Sequence, residues 1–174
     1  MELLEDFYRV FLINMRELGS PVHSMKLMQH VLVQMSEHAS IFVVYKLKKP
    51  VASALTIGFN KILRNPWASS DRAYASMSPN MLLYLRMLEY GCDSGYQVFD
   101  FGRSTIGEGT YRFKEQWGAT PVPLHWYLLC LDGKSPNMER SGAERLKWTT
   151  HYWKKLPLVV TKIVGPHLRK HISL

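Results

Sequence analysis

The chain has 174 residues, 47% of them hydrophobic and 21% charged, which fits one domain with a real core and excludes a disordered tail. Two cysteines, Cys92 and Cys130, are too few for a disulfide framework or a cysteine-based metal cluster. The net charge of +8 is uneven: residues 1–133 carry 13 basic and 12 acidic side chains, while residues 134–174 carry 9 and 2.

In the first segment Leu4, Phe7, Phe11, Met15 and Leu18 recur at steps of three and four, the pattern of an amphipathic helix that Gly19 can end. A second helix is expected after Gly19-Ser20-Pro21, with Ser24 as N-cap and Leu27, Met28, Val31, Leu32 and Met35 on one face. Ile41 to Tyr45 and Val51 to Phe59 are β-branched and aromatic and flank Lys48-Lys49-Pro50, which predicts a hairpin turning there. A weaker strand is expected over Trp67 to Tyr74, after the breaker Asn65-Pro66. Met81, Leu85, Leu88 and Cys92 predict a third helix with that buried face, started by Ser78-Pro79 and ended near Gly91 or Gly95. A short buried strand over Gln97 to Phe101, a glycine-bearing loop, a short helix over Thr110 to Trp117 and a last strand from about Val122 to Cys130 complete the order. Such an alternation indicates an α/β protein with a mixed sheet covered by helices. Residues 1–133 form the expected domain, and 134–174 a basic amphipathic C-terminal extension.

No apolar run approaches the ~20 residues of a spanning helix, and the opening MELLEDFYRVF has acids where a secretory leader carries bases. A cytoplasmic protein is expected, either soluble or peripheral on the inner membrane face.

The densest chemistry lies between Phe99 and Ala119. A strand delivers Asp100 to its carboxyl end, a loop follows with Arg103, Ser104 and Thr105, and a helix carries Tyr111, Arg112 and Lys114 in its first turns. Open α/β sheets bind ligands at the carboxyl ends of strands, and a helix N-terminus favours an anion. Arg103 offers a planar fork to a carboxylate or phosphate, and Lys114 a movable point charge. The plainer alternatives are a surface lysine at 114, a structural ion pair between Arg103 and Asp100, and core packing by Tyr111, Phe113 and Trp117.

Asp100-Phe101-Gly102 matches a kinase triplet, but no His-Arg-Asp loop accompanies it. Gly102 to Gly107 has P-loop spacing, yet Glu108-Gly109 stands where Lys-Ser/Thr is required. His167 and His171 lack a third ligand, so no metal is expected.

MRELGSPVHS (15–24), FDFGRSTIGEGTYRFKEQWGATPVPLHWYLL (99–129) and WKKLPLVVTKIVGPHLRK (153–170) resemble the C-terminal half of FemAB-related proteins. These are acyltransferases of the GNAT superfamily associated with exosortase-linked polysaccharide systems. The resemblance implies a GNAT-like fold, without the first strand of the usual order, and transfer of an acyl or aminoacyl group to an amine of a cell-envelope or polysaccharide precursor. It matches Phe113-Lys114 to the Phe-Lys pair at the Fem acceptor site. It implies no tightly bound cofactor, and acyl-CoA or aminoacyl-tRNA as donor substrate. Arg72-Ala73-Tyr74-Ala75-Ser76-Met77 replaces the glycine loop that cradles the CoA pyrophosphate, which favours a donor other than CoA or a site completed by another half.

The expected catalytic residues are therefore Lys114 and Arg103, with Asp100, Ser104, Tyr111, Phe113 and Trp117 binding substrate. The expected acceptor is a small-molecule, peptide or sugar amine. A homodimer or a partner GNAT half would complete the site. The basic tail suits an anionic membrane surface, tRNA, or packing on its own domain, and nothing indicates sequence-specific DNA binding. The rival readings are a non-catalytic substrate-binding half-domain and a membrane-surface adaptor.

Overall fold

The computed structural model describes residues 2–125, 127 and 150–172. They fall into two compact units, Met1–Gly102 with Thr149–Leu174, and Arg103–Trp148.

In the first unit, α1 (Glu2–Leu18) buries Leu4, Phe7, Tyr8, Val10, Phe11 and Leu12. Gly19 ends it at φ +76°, donating its N–H to the Arg16 carbonyl at 2.9 Å, a left-handed helix stop. The second helix, α2 (Met25–Gln34), has the expected cap: the Ser24 hydroxyl accepts the Leu27 N–H at 3.1 Å. Strands β1 (Ala39–Lys46), β2 (Lys49–Phe59) and β3 (Ile62–Ser70) run antiparallel, and β4 (Val98–Asp100) lies parallel to β3, giving the order β1-β2-β3-β4. Between β3 and β4 come a 3-10 helix, Arg72–Met77, and α3 (Pro79–Asp93). The mixed α/β architecture is as expected. Residues 150–155 form a short helix, α5, and Leu158–Arg169 form α6.

The core lies between α1 and the sheet, where Phe7, Phe11, Val22 and Met28 pack with Leu55. Such side chains stabilise by roughly 1.5–3 kcal/mol each when fully buried. The buried Ser53 hydroxyl donates to the Phe7 carbonyl at 3.2 Å and so satisfies itself inside this core.

Four details of the sequence reading need correction. The first hairpin turns at Leu47-Lys48, both at positive φ, and Pro50 lies inside β2. The third strand spans Ile62–Ser70 instead of Trp67 to Tyr74 and runs through Asn65-Pro66. Both prolines sit beside register breaks: Val44 pairs with Ala52 but Tyr45 with Pro50, and Leu55 pairs with Trp67 but Ile57 with Arg64. A bulge needs no ladder hydrogen bond from each residue, so a proline is tolerated there. Third, α3 buries Leu83, Tyr84, Met87 and Gly91, while Met81, Leu85 and Cys92 of the predicted face are exposed. The helix is apolar on two faces, and the one that carries Tyr84 packs inward.

Fourth, the expected strand Gln97 to Phe101 is shorter and half-exposed, because β4 is the sheet edge among the described residues. Of the predicted last strand, residues 122–125 and 127 are not extended in a sheet, and the rest lies outside the described residues.

Candidate functional site

In the first unit the parallel pair β3 and β4 holds register for three residues only, Ile62 with Val98, Leu63 with Phe99 and Arg64 with Asp100. From Asn65 to Ser70, β3 continues without β4 beside it. Among the described residues no strand pairs with this stretch of β3 on the β4 side, so an extended, amide-bearing chain can be added there as a strand.

Asn65, at the bulge, is 8% exposed. Its Nδ2 donates to the Tyr84 hydroxyl at 3.1 Å, and Oδ1 is buried without a hydrogen-bond partner. Burial pushes the Tyr84 phenol up from its ordinary pKa, and the Asn65 bond opposes this. Tyr84 therefore stays neutral. Its ring stacks on Phe101 at 5.7 Å between centroids and meets Phe99 edge-on at 6.4 Å. Alternation along the strand then turns Asp100 away from Phe99 and Phe101.

Asp100 has two partners at the sheet edge: Oδ2 lies 3.4 Å from Arg64 Nε, and Oδ1 accepts the Gly102 N–H at 2.8 Å. Gly102 is at φ +72°, a conformation that glycine adopts freely. The ion pair weighed between Asp100 and Arg103 is thus made with Arg64, and the carboxylate anchors the start of the loop.

The connection from β3 to α3 is the 3-10 helix Arg72–Met77, capped by Asp71, whose Oδ1 accepts the Ala73 N–H at 3.0 Å. At the head of α3, Pro79 has no N–H, the Ser78 N–H is given to Ala75, and the Met81 N–H to Ser78. The free N–H groups that hold a diphosphate at a helix start are few here.

In the second unit α4 (Gly109–Gln116) follows a loop turning at Gly107, φ +85°. Lys114 Nζ donates to the Arg103 carbonyl at 2.9 Å, so the helix and the loop start are tied by one of the three ammonium donors. The Arg103 side chain is exposed, and Ser104, Tyr111, Phe113 and Trp117 are half-buried. Phe113 and Trp117, one turn apart, meet edge-on at 6.4 Å. Glu108 occupies the N-cap without a side-chain bond, placing a carboxylate at the helix end where an anion was expected.

Of the residues predicted for the site, the structure brings together Lys114 with Arg103 and Phe113 with Trp117, while Asp100 belongs to the first unit. Sequence reasoning missed Arg64 and the Asn65–Tyr84 pair. The only signal for the latter was an asparagine beside a proline, two positions after Leu63. Among the described residues no group of three His, Cys, Asp or Glu side chains is placed to hold a metal ion, and no helix is long and apolar enough to cross a membrane.

Residues 1–115 match the family model of the acetyltransferase (GNAT) domain. Solved structures with the same fold include an aminoglycoside acetyltransferase from an uncultured soil metagenomic sample in complex with sisomicin, 12% identical, with a TM-score of 0.58 over 72% of this chain and 87% of that one. The ribosomal-protein-S18-alanine N-acetyltransferase from Escherichia coli is 14% identical, with a TM-score of 0.54 over 66% and 70%. A Trypanosoma brucei acetyltransferase is 14% identical, with a TM-score of 0.55 over 73% and 94%. No curated protein matches the chain in sequence.

Proposed function

The chain belongs to the acetyltransferase (GNAT) domain family, and from that premise we propose that it is an N-acyltransferase of the FemAB-related type, acting on an amine of a cell-envelope or polysaccharide precursor. The observation that supports acyl transfer is that β4 pairing ends at Asp100 while β3 runs on to Ser70. The acyl group of the donor can lie along that stretch of β3, with its carbonyl presented to an incoming amine. Attack forms the new C–N bond and a tetrahedral oxyanion. Collapse then breaks the bond to the donor's sulfur or oxygen, and the amine proton leaves to solvent or to the departing group.

Within the second unit, Lys114 and Arg103 are the cations proposed to hold a substrate anion or to stabilise an oxyanion. Asp100, Ser104, Tyr111, Phe113 and Trp117 are the proposed substrate-binding groups. Asp100 acts by fixing Gly102, since its carboxylate is already engaged. The donor is acyl-CoA or aminoacyl-tRNA. The glycine-free 3-10 helix ahead of α3 supports the second, or a site completed by a second copy or a partner GNAT half.

A test is transfer of a labelled acyl group to a panel of amines from acetyl-CoA and from aminoacyl-tRNA. Lys114→Met is expected to lower kcat by about 10²-fold, the scale of losing one oxyanion donor, and wild-type turnover by that variant removes Lys114 from the chemistry. If neither donor supports transfer or binds, the non-catalytic half-domain reading replaces this one.

A further inference from the structure

α6 has two unlike faces. Leu158 and Thr161 turn inward with Gly165, where a Cβ would come within 3.0 Å of Val22 Cγ1, so the helix lies directly on the backbone of the α1–α2 connection. Arg169 Nε donates to His23 Nε2 at 3.3 Å and holds the C-terminal end there. The opposite face is exposed and, over its first two turns, apolar. Val159 is 68% exposed and Ile163 62%, with Val160 and Val164 beside them at the same spacing of four. β-branched side chains on an outward helix face do nothing for the core beneath.

The charge along this segment has one sign. From residue 150 to 172 the chain carries five Lys or Arg and no Asp or Glu. Lys154, Lys155, Lys162 and Lys170 are exposed, as is the ring of Tyr152 just ahead of α6. Two copies meeting on this face would bring these cations together. Nucleic-acid phosphates would accept the charges but leave the valine and isoleucine face in contact with water. An anionic lipid surface satisfies both features, because the headgroup layer offers phosphates above an apolar interior.

We propose that α6 docks parallel to an anionic bilayer, with Val159, Val160, Ile163 and Val164 entering the headgroup boundary and the surrounding lysines meeting lipid phosphates. The inner face of the helix remains packed on the body, so binding needs no unfolding. This site is independent of the transfer chemistry.

The test is sedimentation of the full chain with vesicles of phosphatidylcholine alone and with about 30% phosphatidylglycerol, at low and high salt, comparing wild type, Ile163→Asp and the double variant Lys154→Glu/Lys155→Glu. Each exposed lysine near such a surface contributes about 1 kcal/mol, so the double variant is expected to bind at least about tenfold more weakly to the anionic vesicles, with wild-type binding falling as salt rises. Ile163→Asp is expected to lose binding while keeping the wild-type unfolding midpoint, since residue 163 faces solvent. Equal binding of all three proteins overturns the proposal, as does no preference for anionic vesicles. It is also overturned if the wild type ignores vesicles but binds RNA, or is a dimer that Ile163→Asp makes monomeric.

Discussion

Arg64 and Asp100 are the last paired residues of β3 and β4, and they join side chain to side chain, Nε to Oδ2, at 3.4 Å. β4 ends at this clasp, while β3 continues to Ser70. Both side chains are largely in water, 63% and 44% exposed, so the pair itself contributes less than about 1 kcal/mol. Its position matters more than its strength. Arg64→Ala is expected to shift the unfolding midpoint little. Asp100→Ala also removes the acceptor for the Gly102 N–H and is expected to cost about 1 kcal/mol more in urea unfolding.

The same carboxylate separates two roles in catalysis. A general base must take a proton from the acceptor amine, whereas an anchor needs only to accept hydrogen bonds. Asp100→Asn keeps an oxygen for Gly102, so transfer with an unchanged pH profile is expected. Loss of an acidic limb from the kcat/KM profile in this variant would assign Asp100 the proton instead.

The Asn65–Tyr84 bond is the buried polar contact nearest the bulge. Tyr84→Phe keeps the stacking on Phe101 but leaves Asn65 Nδ2 desolvated without that acceptor. A loss of about 1–3 kcal/mol is expected, the cost of an unsatisfied buried donor. Asn65→Leu/Tyr84→Phe should recover part of it, since both polar partners are then gone. A double variant as unstable as the sum of the singles would show that the two groups do not act as a pair.

The helices, the first hairpin and the mixed sheet were legible in the sequence because each rests on a local signal: an apolar period, a cap, a β-branched run. The errors share one cause. Pro50 and Asn65-Pro66 are local breakers, but the pairing of β2 with its two neighbours absorbs each as a bulge, and a single strand does not reveal its partner's register. The face of α3 was misread for the same reason. Met81, Leu85, Leu88 and Cys92 repeat as well as Leu83, Tyr84, Met87 and Gly91 do. The choice is made by Asn65, Phe99 and Phe101, distant in sequence, which meet Tyr84. In the site, Lys114 and Arg103 were legible as residues, but the contact of Nζ with a main-chain carbonyl was not.

Gly58 illustrates a contact of this hidden kind. A Cβ there would overlap the ring and hydroxyl of Tyr96, which lie against β2 at this residue. Gly58→Ala is expected to destabilise by about 1–3 kcal/mol through displacement of that ring. In a Tyr96→Ala background the same substitution should cost little, because the obstructing ring is gone. Equal costs in the two backgrounds would mean that Tyr96 is not what requires glycine at this position.

His23 couples α6 to pH. Burial holds its pKa below the ordinary value of 6.5, and the Arg169 guanidinium lowers it further. The neutral ring accepts the Arg169 Nε–H, and the protonated ring cannot. The folded pKa is depressed, so this contribution to stability is full above about 6.5 and is lost as pH falls through the folded value. Urea midpoints of the wild type should therefore fall more steeply below pH 6.5 than those of His23→Gln. The His23 ring signals in NMR should titrate below 6.5, and in Arg169→Met the midpoint should rise only part of the way, because burial is the larger cause. A His23 midpoint at or above 6.5 in the wild type would mean that the ring is solvated and that α6 does not cover it.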